Sequence, residues 1–139
     1  MAGLKEFKPR FRGLSHQYAF FASVIAGLIL VFQLCPAEMR AGAAIFAFSL
    51  SGMLGTSALY HRVKWKKPAT QAMMRRLDHT MIFVLIAGTY TPFALANPAD
   101  TKSQLMLNIL WMAVAAGILF KLLWINAPRW ITAGTYVVV

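Results

Sequence analysis

The sequence predicts an all-α protein, a polytopic bundle of transmembrane helices in a single domain over residues 1–139. Three observations lead to this fold class. Of the 139 residues, 59% are hydrophobic and only 13% charged, too little charge to coat a soluble domain of this size. Four runs, residues 17–35, 41–60, 79–96 and 105–124, are apolar over about the 20 residues that a ~30 Å hydrocarbon core demands. Finally, the basic residues gather at alternate loops, as they do when a chain threads a membrane.

The first run could also be a cleaved signal peptide, but it is longer than an ordinary apolar signal core, and QLCPAE offers no small-x-small cleavage site. Cys35 is the chain's sole cysteine and can make no internal disulfide; it reads as an apolar packing residue. The second run is rich in small residues. Ser51 and Gly55 lie four apart, as do Gly52 and Thr56, so one face should admit a neighbouring helix closely. The third run contains GTYTPF. Pro92 has no N–H for the Gly88 carbonyl, which predicts a kink or a loosened turn, with the hydroxyls of Thr89, Tyr90 and Thr91 available in compensation. The sharper alternative makes Tyr90 or Thr91 line a polar cavity. In the fourth run Ala113 and Gly117 repeat the small-residue spacing, and Lys121, near the end, can snorkel to the interface. A fifth run, WITAGTYVVV at 130–139, rises only about 15 Å before it stops at Val139. It reads as a helix cut short, the alternative being an interfacial tail.

A formal charge of +10 suggests nucleic acid or anionic lipid as a partner. No basic face with interleaved aromatics appears, so nucleic acid is set aside. Membrane lipids are the expected partners, with anionic phospholipid headgroups at the basic 61–78 loop. Lys5, Lys8, Arg10 and Arg12 precede the first run, and Arg62, Lys64, Lys66, Lys67, Arg75 and Arg76 separate the second from the third. Lys121 and Arg129 follow the fourth; only Arg40 and Lys102 fall in the other two loops. The amino terminus and the 61–78 loop are therefore expected in the cytoplasm.

Ionisable groups collect at that cytoplasmic rim. In SALYH, residues 57–61, Ser57 and His61 are i and i+4 on one helix face. The third run opens RRLDHT, so Asp78 and His79 are expected at the same membrane level. One reading makes Asp78 an N-cap, favoured by the helix dipole, and His61 an ordinary interface histidine. The other gathers His61, Asp78 and Ser57 around one metal or one activated water. Imidazole and carboxylate suit zinc, which takes three or four protein groups. His79 points about 100° away from Asp78, while His16 in GLSHQ stands at the same rim and could join.

These strings resemble the hemolysin III family, relatives of the progestin and adipoQ receptors within the CREST group of membrane hydrolases. The resemblance runs through RGLSHQYAFF, SALYHR, RRLDHTMIFVLIAGTYTPF and WINAPRW, over essentially the whole chain. It implies seven transmembrane helices, a cytoplasmic amino terminus, a bacterial inner-membrane location and zinc near the cytoplasmic face. Carried over, His61 is a direct ligand, Asp78 binds directly or through water, Ser57 hydrogen-bonds in the site, and His79 is not a ligand. The family's remaining ligands lie in a His-x-x-x-His motif of its last helix. This sequence stops at Val139, ahead of that helix, so only part of a site is expected here and the other ligands are expected beyond Val139. Three functions stay open: a zinc-dependent hydrolase of a lipid amide or ester, with Asp78 as general base; a pore-forming cytolysin; and a non-enzymatic regulator of membrane homeostasis.

Overall fold

The computed structural model describes residues 10–123, with side chains described for 11–119. The run at 130–139, with Val139 at its end, lies outside the described residues, as do the cations Lys5, Lys8 and Arg129 and the side chain of Lys121. Helix α1 covers Arg10–Ile29, continues through a π-helical turn at Leu30–Leu34, and is joined by a 3-10 turn at Ala37–Met39 to α2, Arg40–Arg62. Helix α3 covers Pro68–Ala96 and α4 covers Thr101–Leu123. All four are long and apolar enough to cross a membrane.

Each boundary has a local cause. The chain leaves α2 when Val63 turns extended, and the Trp65 indole donates to the Tyr60 carbonyl at 3.3 Å, covering one of the helix's last free acceptors. Lys67 is extended and Pro68 occupies the first turn of α3, where its missing N–H costs nothing and its fixed φ suits a helix. Asp100 caps α4 by accepting the backbone N–H groups of Lys102 and Ser103 at 3.2 and 3.3 Å.

The start of α3 corrects two expectations. The basic segment at 61–78 is not a loop: only 63–67 leave helical structure, and Arg75, Arg76 and Asp78 are inside α3. Asp78 is thus no N-cap, since it sits about three turns into its helix. The reason is composition. Residues 68–78, PATQAMMRRLD, are too polar to register as a span, yet Ala, Gln, Met, Arg and Leu favour a helix once Pro68 has started it.

Neighbours in sequence pack side by side, α2 lying against both α1 and α3, and α4 against α3. The α1–α2 register is antiparallel and close. Ser23 and Ser51 hydroxyls pair at 3.0 Å, while a Cβ on Gly27 would come 2.8 Å from that of Ala47. Gly55 admits the Phe20 ring in the same register. On the other side of α2, a Cβ on Gly42 would lie 2.7 Å from Pro92 Cα, one on Gly52 would meet Met81, and one on Gly88 would overlap the Ser49 hydroxyl. The small residues of α2 therefore serve two faces, Ser51 and Gly55 toward α1 and Gly42 and Gly52 toward α3. One face was expected.

Between α3 and α4 the core is Phe83, Ala87 and Val114, with Leu110 and Trp111 packed on it; Gly117 faces the Phe83 ring. Pro92 is accommodated within a continuous α3. Thr89 and Thr91 donate to the carbonyls of Leu85 and Ala87, each at 2.7 Å, and Trp111 Nε1 donates to the Thr91 hydroxyl at 3.2 Å. The hydroxyls thus serve carbonyls one turn back, neither of them the Gly88 oxygen that Pro92 leaves.

Candidate metal centre

Near the Arg62 end of α2 lie three buried polar atoms without a hydrogen-bond partner among the described residues, on Ser57, His16 and Gln17. Buried helical hydroxyls elsewhere return their proton to their own helix: Ser49 to Ile45 at 2.6 Å, Thr80 to Leu77 at 2.9 Å. Ser57 departs from that pattern. It is only 1% exposed, yet its Oγ has no hydrogen-bond partner among the described residues. A hydroxyl left so in a low-dielectric interior costs about 1–3 kcal/mol, and such an atom calls for an explanation.

The α1–α2 register supplies its surroundings. Gly13 lies against His61, a Cβ there falling 2.9 Å from His61 Cβ. With Ser23 opposite Ser51, Gln17 falls at the level of Ser57 and His16 beside it. Gln17 Oε1 and His16 Nδ1 are also buried without hydrogen-bond partners among the described residues. From the other side, Ser49 opposite Gly88 and Gly52 opposite Met81 bring Asp78 to the level of Ser57. Asp78 is 8% exposed, and a carboxylate buried in a membrane-spanning helix is expensive enough to point to function. His61 is one turn further along the Ser57 face, half-buried, with its ring edge-on to Tyr60 at 4.9 Å.

His79 is used differently. Its Nδ1 donates to the Arg75 carbonyl at 2.6 Å, tying that edge of the ring to its own helix. His16, a candidate to join the site, reaches the same rim, but among the described residues no three His, Cys, Asp or Glu side chains come together as a metal-binding group. The donor chemistry fits zinc in kind, an imidazole and a carboxylate flanking a hydroxyl, and falls short in number, since a zinc site needs three or four protein ligands. The described residues therefore do not complete a zinc site by themselves, and the ligands expected beyond Val139 lie outside them. Gln17 and Gly13 are the participants that sequence reasoning missed. Their strings, RGLSHQ and its neighbours, stood out, but which α1 residues oppose Ser57 and His61 depends on interhelical register.

The chain matches the family described as Haemolysin-III related over residues 4–139. It is 38% identical over 93 residues to the hemolysin-3 homolog of Bacillus subtilis (strain 168), covering 67% of this chain and 42% of that protein. It is 30% identical over 127 residues to hemolysin-3 of Bacillus cereus, covering 88% of this chain and 55% of that one. The chain thus spans about half the length of the curated relatives it matches. No solved structure matches it. Four apolar helices in the expected order, together with a family match over nearly every residue, make this chain a member of the haemolysin III family.

Proposed function

We propose that the α1–α2–α3 rim is the inner half of a zinc site in a membrane-embedded hydrolase acting on a lipid amide or ester. The observation that carries this reading is the buried, unsatisfied Ser57 hydroxyl at the level of buried Asp78. In this reading His61 holds the ion through a neutral ring nitrogen. Asp78 holds it directly or through water and, as a carboxylate, accepts the proton of the attacking water. Ser57 donates a hydrogen bond that orients this carboxylate or the water. Gly13 lets α1 approach His61 closely enough to restrict its ring. Bound zinc supplies Lewis acidity toward a carbonyl oxygen and toward water. A complete site takes one or two further protein ligands besides these.

The surroundings suit this chemistry. The distribution of basic residues supports a rim at the cytoplasmic face of a bacterial inner membrane, with the amino terminus inside and anionic headgroups against Arg62, Lys64, Lys66 and Lys67. A pore, the activity suggested by the relatives' name, finds less support. The hydroxyls of Ser49, Thr80 and Thr91 are bound to their own helices, where a conducting lumen would need them turned toward water. The test is hydrolysis of a ceramide and of a phospholipid by the full-length protein in liposomes, run beside dye release. Hydrolysis that falls at least a hundredfold in His61→Ala and Asp78→Asn supports the enzyme. Dye release without hydrolysis, undiminished by either substitution, replaces it with the pore.

A further inference from the structure

A half-enclosed groove of about 320 Å³ lies between α1 and α2, lined by Phe20, Phe21, Gly55 and Leu59, with Gln17 and Arg62 supplying its polar groups. Phe21 and Leu59 are 56% and 53% exposed, so the groove opens on the flank of the bundle. Its depth comes from Gly55: a Cβ there would press to 3.0 Å on the Phe20 ring. From Gly55 to Arg62 is two helical turns, roughly 10 Å, the scale of the upper part of an acyl chain. At the rim end the Arg62 stem is held beside Gly13, whose added Cβ would lie 3.0 Å from Arg62 Cγ. The Arg62 side chain thus leaves α2 on the side of α1 and lines the groove, and the residue is exposed.

Charge at this end is one-sided. Among the described residues, Arg12, Arg62, Lys64, Lys66, Lys67, Arg75 and Arg76 stand here against the single acid Asp78, which the register places on the α3 side of α2. An apolar trough ending in an arginine matches one kind of membrane component, an acyl chain attached to a phosphate. Arginine is suited to that phosphate because its planar fork donates two parallel hydrogen bonds.

We propose that the α1–α2 groove is a binding site for one anionic glycerophospholipid, its acyl chain along Phe20, Phe21, Gly55 and Leu59 and its phosphate on Arg62. This inference deepens the lipid contact proposed above and rests on it, but it needs neither zinc nor hydrolysis. Gln17 joins the two places, since it lines the groove and its buried Oε1 lies at the level of Ser57.

The test titrates the detergent-purified full-length protein with phosphatidylglycerol or phosphatidylcholine of the same acyl chains and counts retained lipids by native mass spectrometry. Phosphatidylglycerol is expected to bind the unaltered protein more tightly. Arg62→Gln keeps most of the aliphatic stem beside Gly13 and removes the charge; it should weaken phosphatidylglycerol about tenfold, the loss of one charge-assisted contact, and leave phosphatidylcholine unchanged. Arg62→Lys should recover part of the loss. Arg12→Gln, at the same rim but outside the groove, should change affinity less than about twofold. Equal binding of the two lipids overturns the proposal, as does an Arg62→Gln protein that binds normally, the result if the rest of the chain covers the groove. An Arg12→Gln loss as large as that of Arg62→Gln overturns it in favour of diffuse attraction. Zinc content measured on the same samples keeps a failure here separate from a failure of the coordination site.

Discussion

A serine inside a helix ordinarily satisfies its hydroxyl on the carbonyl one turn back, and Ser49 does so. Ser57, equally buried in the same helix, does not, and the difference can be measured. With metal removed, Ser57→Ala deletes an unsatisfied polar group, so the full-length protein should lose no stability and gain up to about 1 kcal/mol in denaturant titration. If the rim is the proposed hydrolase site, lipid hydrolysis should nevertheless fall about tenfold in this variant. A stability loss beyond about 1 kcal/mol would mean that Ser57 has a structural partner after all. The spacing of Ser57 and His61 was legible in the sequence because one helix carries both. Gln17 and Gly13 were not, because their relevance arises only where α1 meets α2.

Helices here meet through backbone-level contacts, and the sharpest is Gly42 on Pro92. A side chain at position 42 has to displace α3 backbone, 2.7 Å from the position of its Cβ, rather than a yielding side chain. Gly42→Leu should therefore cost about 1–3 kcal/mol, whereas Gly117→Ala, whose Cβ would lie 3.5 Å from the Phe83 ring, should be tolerated within about 0.5 kcal/mol. Thermal unfolding of the two variants makes the comparison.

The cap of α4 responds to pH. The Ser103 hydroxyl foremost, helped by the backbone N–H groups of Lys102 and Ser103, holds the Asp100 carboxyl below its ordinary range, against an opposing effect of desolvation. A depressed folded-state value means that the cap contributes at neutral pH and is lost as pH falls through that value. Amide exchange in the first turn of α4, corrected for its intrinsic pH dependence, should lose protection in acid, and Asp100→Ala should show that loss already at neutral pH. Element boundaries were the least legible feature of the sequence. Hydropathy located all four spans, yet it began the third at residue 79, because it does not detect a polar helical turn. The eleven residues from Pro68 to Asp78 are helical through propensity and a well-placed proline. They carry Asp78 from a helix end, where an N-cap would explain it, into an interior where capping cannot.

At the scale of the whole molecule the order of spans and the asymmetry of charge predict one topology, and the lone cysteine of this chain can report on it. Cys35 lies at the turn between α1 and α2, half-buried and in no disulfide, at the end of the bundle opposite Arg62. In intact cells a membrane-impermeant maleimide should label Cys35 from outside, while Lys66→Cys in a Cys35→Ser background should be labelled only after permeabilisation. The reverse pattern would put the basic rim outside the cell. The fold class could be read from composition alone because a bilayer allows so few solutions. The site could be read only in part, since its pieces come from three helices whose relative rotation the sequence does not display.

In the proposed site the end of α2 and the interior of α3 contribute to one metal ion. Zinc per protein chain, measured by inductively coupled plasma mass spectrometry on the full-length protein, tests it most directly. Close to one equivalent is predicted in the unaltered protein, with most of it lost in both His61→Ala and Asp78→Asn while the helical circular dichroism is retained. Full zinc occupancy in both variants, or none in the unaltered protein after purification without chelators, would contradict the account.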